Sequence, residues 1–290
     1  MVGAARAVGP VVDTAPVVAG ARVLVTGAAQ GMGALFARRA AQEGARAIAL
    51  WDVDDEAAMR LAAELSRSGT AVHAVGVDLS RYEEIGVAAA RSREQIGDPD
   101  IVINNAGIVR GIPFWEHDPV QDIERTMRIN ALAPMWLTRE VLPAMRQDRS
   151  RPKRLLNIAS AAGTLANPGM SVYAASKWAM IGWSDSLRLE LERSDHGHLA
   201  VTTFCPSFVS TGMFEGARGP RLTPIMSPEE AVEKAWAGML AGRLLVTAPW
   251  SVKAAMAARG VLPTRAWDLL AGGFLRIHSS MDRFSGHPGA

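Results

Sequence analysis

From residue 21 onward the chain alternates short, almost wholly apolar runs with longer stretches of helical character. The run ARVLVTG at 21–27 is rich in β-branched residues and ends in glycine, which predicts a buried parallel strand. Residues 31–43, rich in Ala, Leu, Phe and Arg and closed by Gly44, predict a helix, and ARAIALW at 45–51 predicts a second strand. The same rhythm predicts helices over 54–68 and 83–96, strands at 71–78 and 100–105, and a long helix over 119–145. A strand at 154–160, a helix over 171–194 and a strand at 199–205 follow, and RLLVTAP at 243–249 offers a seventh strand. Strand and helix in regular succession give an α/β class: a doubly wound, Rossmann-like domain with a parallel six- to seven-stranded sheet and helices on both faces.

Segment 206–228 breaks this rhythm. Rich in proline and glycine and without a period, it predicts a long loop with room for a short helix, and connections of that length in a compact domain are more often functional than idle. Ser227 followed by Pro228, Glu229 and Glu230 marks the next helix start. Residues 1–20, interrupted by Pro10 and Pro16, read as a flexible tail without the apolar core of a signal peptide. The expected organisation is therefore a tail at 1–20, a dinucleotide-binding catalytic domain at 21–250 that includes the 206–228 substrate loop, and an extension at 251–290.

Composition narrows the function classes. With 290 residues, 49% hydrophobic and 21% charged, the chain has the material for one large α/β domain. A net charge of +2 with no run of five basic residues argues against nucleic acid, and the cluster Arg149, Arg151, Lys153 and Arg154 reads as a solvated loop rim. One cysteine, Cys205, rules out an intrachain disulfide and sits in an apolar run as a buried structural thiol. His196 and His198 lie near a turn, and His278 and His287 in a polar tail, so no metal is expected. No stretch has eighteen uninterrupted apolar residues, and the cytoplasm is the default compartment.

The candidate chemistry begins where the first strand hands over to a helix, at Gly27, Ala29, Gln30, Gly31, Met32 and Gly33. Glycines there let the backbone turn tightly and approach a pyrophosphate at the helix N-terminus. Asp52 closes the second strand, where a carboxylate can accept both ribose hydroxyls and repel a 2′-phosphate; this favours NAD, with capping of the next helix as the competing account. Asp78, followed by Leu79, meets the adenine edge or caps a helix. Asn104, Asn105, Ala106 and Gly107 pack beside the nucleotide or form a plain turn. Tyr173 and Lys177 are four apart in a helix and share a face, with Ser160 approaching from the sheet. Hydride transfer needs a proton donor or acceptor at the carbonyl oxygen, and a tyrosine can serve if a nearby ammonium lowers its pKa from about 10.

Three motifs together, TGAAQGMG at 26–33, NNAG at 104–107 and YAASK at 173–177, with Ser160 thirteen residues before the tyrosine, resemble the short-chain dehydrogenase/reductase family over about residues 21–250. The resemblance implies an NAD-dependent alcohol dehydrogenase or carbonyl reductase in which Tyr173 is the acid/base and Lys177 lowers its pKa and binds the nicotinamide ribose. By the same resemblance Ser160 orients the substrate oxygen, and Asn130, matched through MRINALAP, holds a water in the proton relay; an amide bonded within a helix kink is the alternative for Asn130. PSFVSTGM at 206–213 matches the family's loop after the sixth strand, although Ser207 stands where glycine is usual. It implies that Pro206, Val209 and Thr211 meet the nicotinamide end. A homotetramer or homodimer is implied as well, built on the helices near 119–145 and 171–194. The sequence looks nearest to retinol and hydroxysteroid dehydrogenase-like members, through ALWDVD at 49–54 and HSSMDRFSGH at 278–287.

Apolar residues flank the expected centre: Ala162, Leu165, Met170, Phe208, Met213 and Phe214, with Ile108 and Met226 as further wall candidates. They favour a bulky hydrophobic secondary alcohol or ketone as substrate, steroid-, retinoid- or aryl-alcohol-like, over a smaller polyol or sugar-like one. A non-catalytic NAD-binding regulator, or an epimerase or dehydratase on the same scaffold, are the other classes considered. Residues 250–277 mix apolar side chains with Lys253, Arg259, Arg265 and Arg276. Packing on the pocket or on a subunit ranks ahead of contact with an anionic membrane surface.

Overall fold

The computed structural model describes residues 17–67 and 69–285, so most of the expected tail, residues 1–16, and His287 lie outside the described residues. Seven strands, β1 (Arg22–Thr26), β2 (Ala47–Asp52), β3 (Ala71–Gly76), β4 (Ile101–Asn104), β5 (Lys153–Ile158), β6 (Leu199–Pro206) and β7 (Leu245–Ala248), form one parallel sheet in the order β3-β2-β1-β4-β5-β6-β7. The order reverses beside β1, where Val23 pairs with Ile48 of β2 on one side and Ile101 of β4 on the other. At such a switch point the carboxyl ends of the strands leave a crevice for a ligand.

Nearly continuous apolar strands bury both faces of this sheet. Val23, Val25, Ile48, Leu50, Ile103 and Phe204 point to one side, against Phe36 of α1 (Gly31–Gln42), Leu61 of α2 (Asp55–Ser66) and Trp236 of α7 (Pro228–Leu240). Leu24, Ala49, Trp51, Val102 and Leu155 point to the other, against Ile85 of α3 (Tyr82–Ile96), Leu137 and Val141 of α5 (Ala133–Gln147) and Leu187 of α6 (Ser171–Arg193). Helix ends follow local chemistry. Gly44 leaves α1 at φ 77°, a conformation that favours glycine. The Asp54 side chain accepts from Ala57 N at 2.9 Å, with Asp55 and Glu56 in the first turn of α2. Ser227 caps α7 by accepting from Glu230 N at 3.1 Å, as its sequence predicts.

The long helix expected over 119–145 is not uniform. It widens to π geometry at Pro119–Glu124 and Arg128–Leu132, on either side of the short α4 (Arg125–Met127), before α5 begins. Of segment 206–228, residues 207–227 form no helix; a parallel bridge between Val209 and Met226 closes its base. After β7 the chain adds α8 (Trp250–Val261), α9 (Thr264–Leu269) and a π turn, Leu270–Phe274.

The basic cluster at 149–154 departs from the solvated rim that composition suggests. Lys153 is only 1% exposed, and its ammonium donates to Asp100 Oδ1 at 2.6 Å and Asp148 Oδ2 at 2.5 Å. Arg22 Nε donates to Asp100 Oδ2 at 3.2 Å, Arg151 donates to the carbonyls of Val17 and Ala19, and Arg149 donates to that of Asp195. These contacts tie the amino ends of β1, β4 and β5 together, at the sheet edge opposite the crevice. Burial alone would raise the Asp100 carboxyl, but hydrogen bonds from Arg22 and Lys153 more than offset it and hold the group below the ordinary carboxylate range. Lys153 pulls Asp148 down in the same direction.

Candidate active site

At the carboxyl end of β1 the backbone is shaped to accept a ligand. Gly27 and Gly31 have φ of 61° and 54°, and a Cβ on Gly33 would sit 1.9 Å from Gly27 O, so the turn closes only around glycine. Gln30 occupies the N-cap of α1 without a side-chain hydrogen bond, which leaves the helix's first amides facing the crevice. Thr211 stands opposite: a Cβ on Gly31 would lie 3.7 Å from it. Met32 packs against the core, and Pro206 and Val209 are buried beneath the loop.

Asp52 does not cap α2, a role taken by Asp54. Its two oxygens accept from Ala29 N at 2.8 Å and Asp54 N at 3.0 Å, so the carboxylate is fixed beside the glycine turn with a lone pair left on each oxygen. These features, an uncapped helix start, a glycine cradle and a held carboxylate at the end of β2, fit a nicotinamide dinucleotide. Asp78 orders its own turn by accepting from Ser80 N at 2.9 Å, and Leu79 packs in the core. Asn105 turns inward and donates to the carbonyls of Thr26 and Gly27 at 3.0 Å each, while Ala106 N donates to Thr26 Oγ1 at 3.1 Å. The NNAG turn thus clamps the glycine loop through Asn105.

The sheet and α6 bring together the polar residues that spacing singled out. Lys177 is 3% exposed and donates from Nζ to Ile158 O at 2.9 Å. Tyr173 is 4% exposed, its ring 5.7 Å from that ammonium, and Ser160 lies close enough to pull the phenol's pKa down. Asn130, in the π-helical stretch before α5, accepts from Ile108 N at 2.8 Å and donates to Ile108 O at 2.8 Å and Ser176 Oγ at 3.1 Å. A wide π turn there aims the amide out of the helix and across to the β4 loop. Gly107 lies between the two groups: a Cβ there would meet Asn130 Oδ1 at 3.2 Å and Lys177 Nζ at 3.4 Å. The expected lowering of the Tyr173 pKa is overturned in this state. Burial pushes the phenol up to about 12, against the opposite pull of Ser160, and burial lowers Lys177 to about 8. Cys205, under the pair, is pushed up to about 12 by burial and is an inert thiol.

Beyond Ser160 opens a cavity of about 300 Å³ whose walls are mostly apolar. Ala162, Leu165, Met170, Phe208 and Phe214 line it, as their positions in the sequence predict. Phe214 meets the Tyr173 ring edge-on at 5.8 Å and Phe208 at 5.3 Å. Met213, Ile108 and Met226 are not among the lining residues; Met226 packs in the core and the Ile108 backbone is held by Asn130. The opposite wall is formed by α8, with Trp250, Val252 and Ala255, and by Leu275 and Ile277, all within the stretch read from the sequence as packing on the pocket or on a subunit. The segment after α9 is no loose polar tail. Arg218 N donates to Ser280 O and Arg221 N to Leu275 O, both at 2.8 Å, and Ser285 N donates to Glu215 O at 3.0 Å. Met281 packs with Met170 and Tyr173, and Phe284 joins the same cluster.

A buried Ser-Tyr-Lys group between a dinucleotide cradle and an apolar cavity defines a nicotinamide-dependent oxidoreductase. The chain belongs to the short chain dehydrogenase family, whose model matches residues 21–221. It is 36% identical over 272 residues to mouse epidermal retinol dehydrogenase 2, covering 93% of this chain and 86% of that protein. It is 34% identical over 271 residues to rat estradiol 17-beta-dehydrogenase 11, covering 93% and 88% respectively. Among solved structures, a short-chain dehydrogenase from Sphingobium yanoikuyae in complex with NADPH superposes with a TM-score of 0.69 at 30% identity, covering 88% of this chain and 93% of that one. The chain is thus related to the retinol and hydroxysteroid dehydrogenase-like members.

Proposed function

We propose that the protein is an NAD-dependent dehydrogenase that interconverts a bulky hydrophobic secondary alcohol and its ketone. The observation that carries the reading is the apolar cavity opening directly on Ser160 beside Tyr173. Its volume suits a ring-bearing alcohol, and its walls give a polyol few hydrogen-bond partners. The names of the retinol and estradiol relatives agree with an apolar substrate.

When bound, the nicotinamide supplies the hydride acceptor. Ser160 donates to the substrate oxygen and fixes the alcohol against Tyr173, whose phenolate takes the hydroxyl proton. Lys177, anchored on Ile158 O, keeps two further N–H donors for the nicotinamide ribose and holds positive charge beside the phenol. The spare lone pair on Asn130 Oδ1 receives a water that passes the proton outward. Val209 and Thr211 line the nicotinamide end, and Asp52 the adenosine ribose. The assembly proposed is a homodimer or homotetramer, and the compartment the cytoplasm, where the nicotinamide pool is available.

The test is NADH formation with NAD⁺ and a panel of steroids, retinol, aryl secondary alcohols and small polyols. Turnover confined to the bulky apolar alcohols is expected; turnover of polyols alone would overturn the substrate assignment. The nucleotide preference rests on Asp52 and has its own check. Wild type should bind NAD⁺ tighter than NADP⁺, and Asp52→Ser should weaken NAD⁺ by about tenfold or more, since hydrogen bonds to a charged group are worth ~1.5–3 kcal/mol. Because the like charge is gone, NADP⁺ should bind the variant better than it binds wild type. Equal NAD⁺ and NADP⁺ affinity in wild type would reject the preference.

A further inference from the structure

Segment 280–285 is fastened to the loops around Tyr173. Met281 is 8% exposed and packs in one cluster with Met170 and Tyr173, and Phe284 lies against the same cluster. The fastenings run to three loops at the carboxyl ends of the strands. Before α6, Asn167 Nδ2 donates to Ser280 Oγ at 2.8 Å. After β6, Arg218 N donates to Ser280 O at 2.8 Å, and a Cβ on Gly216, whose φ is 79°, would collide with Arg283 O. After β4, a Cβ on Gly111 would meet Phe284 Cε1 at 2.6 Å and Met281 Cε at 2.8 Å, so only glycine admits the ring this close to the turn.

The cluster around Tyr173 has two sides. Ala162, Met170, Phe208 and Phe214 line the alcohol cavity, whereas Met281, Phe284 and Val109 are not among the lining residues and lie behind that wall. What the covering side chains do to a phenol follows from solvation. A phenolate loses more by leaving water than a phenol does, so apolar groups packed on it oppose ionisation. Burial is the largest influence on Tyr173 and pushes it up to about 12; Ser160 pulls the other way, and Cys205 at the end of β6 adds to the push. Lys177 Nζ stands 5.7 Å from the ring. The charged side chains of the loops packed on the cluster, Arg110, Glu215 and Arg218, and those of the cover itself, Asp282 and Arg283, are exposed, where water screens them; His278 lies against Gly272.

We propose that Met281 is a positioning residue for Tyr173: packed on the ring and backed by Phe284 on Gly111, it fixes the ring behind the cavity wall and keeps water from the phenol. The action on the phenol stands on the packing; its use in catalysis rests on the function proposed above.

The chain has two tyrosines, so in a Tyr82→Phe background the ultraviolet difference signal of tyrosinate reports Tyr173 alone. The experiment is that titration on the full chain without nucleotide, with circular dichroism marking where the fold is intact. Met281→Ala should raise the ionisation constant of Tyr173 by about tenfold, part of the shift that burial can impose. Met281→Leu, which fills nearly the same volume, should restore it to within about twofold of wild type. Gly111→Ala displaces the Phe284 ring from the other side and should move the ionisation in the same direction, which keeps the test open where Met281→Ala does not fold. A residue that served stability alone would leave the ionisation unmoved, or tied to unfolding, in Met281→Ala and Gly111→Ala alike, and that result would overturn the proposal. So would a Met281→Leu variant shifted as far as Met281→Ala. With an alcohol that the protein oxidises, the rise of kcat with pH should begin about one pH unit lower in Met281→Ala, following the ionisation; a rate profile that stays put beside a moved titration would remove Met281 from the reaction. The titration needs no substrate, so a moved ionisation in a chain that oxidises no alcohol would uphold the packing role and strike the function proposed above.

Discussion

Replacing Tyr173 with phenylalanine is expected to lower kcat by about 10²- to 10⁴-fold, the range over which a positioned acid/base contributes, with nucleotide affinity within a few-fold of wild type. Only the hydroxyl is removed. The ring remains to meet Phe214 at 5.8 Å and to pack with Met170 and Met281, so the cavity wall survives. Turnover is read from NADH absorbance at saturating NAD⁺ and nucleotide affinity from fluorescence quenching. A variant turning over within threefold of wild type would remove Tyr173 from the mechanism. The pKa values define what the complete site must do. With Tyr173 pushed up to about 12 and Lys177 lowered to about 8 by burial, the phenol is protonated and the lysine mostly charged near neutral pH. Oxidation of an alcohol therefore draws on the Lys177 charge and on Ser160 to bring the phenolate within reach, and its rate should climb with pH from neutrality upward.

The second large effect lies at the opposite edge of the sheet. Asp100→Asn is expected to cost about 3–5 kcal/mol of stability, the usual consequence of breaking a buried ion pair, measured by urea unfolding. It leaves Lys153, 1% exposed, and Arg22 with Asp148 as their remaining carboxylate. Adding Lys153→Met should recover part of the loss, because the stranded charge goes with it. A change below about 1 kcal/mol for Asp100→Asn would place the pair among those that contribute little. The pH dependence has a definite sign. Asp100 and Asp148 are both depressed in the folded state, so their contribution is complete above the ordinary carboxylate pKa and is lost as pH falls through the folded values. In Asp100→Asn that acid limb should flatten, while kcat at a temperature where the variant is folded should be unchanged.

Much of the fold was legible because its signals are local. Apolar runs of strand length between amphipathic stretches predicted all seven strands, and Gly44 and Ser227 predicted two helix ends. The residues brought together at the site were legible for the same reason: Tyr173 and Lys177 share a helix face, and Ser160 and the glycine turn sit at strand ends. Long-range pairing was not legible. Nothing near Lys153 in sequence announces that Asp100, 53 residues away, will bury it. Asn105 reads as packing beside the nucleotide or forming a turn, and nothing near it announces its bonds to Thr26 and Gly27, 79 and 78 residues away. Burial of Tyr173 under Phe214 and Met281 reversed the direction of its pKa, because desolvation depends on side chains from three separate segments. The α8 wall was legible only as a stretch packing on the pocket or on a subunit, since its apolar residues carry no mark of which of the two they face.

The segment 275–285 roofs the cluster around Tyr173 and ties down the loop beneath it through three backbone hydrogen bonds, from Arg218, Arg221 and Ser285. During synthesis β1, β2 and β4, which carry the cradle for the nucleotide, leave the ribosome first. The roof arrives after every strand of the sheet has been made. A polypeptide ending short of residue 275 would carry every strand and every cradle residue yet lack the roof, leaving the cluster around Tyr173 open to water on its reactive side.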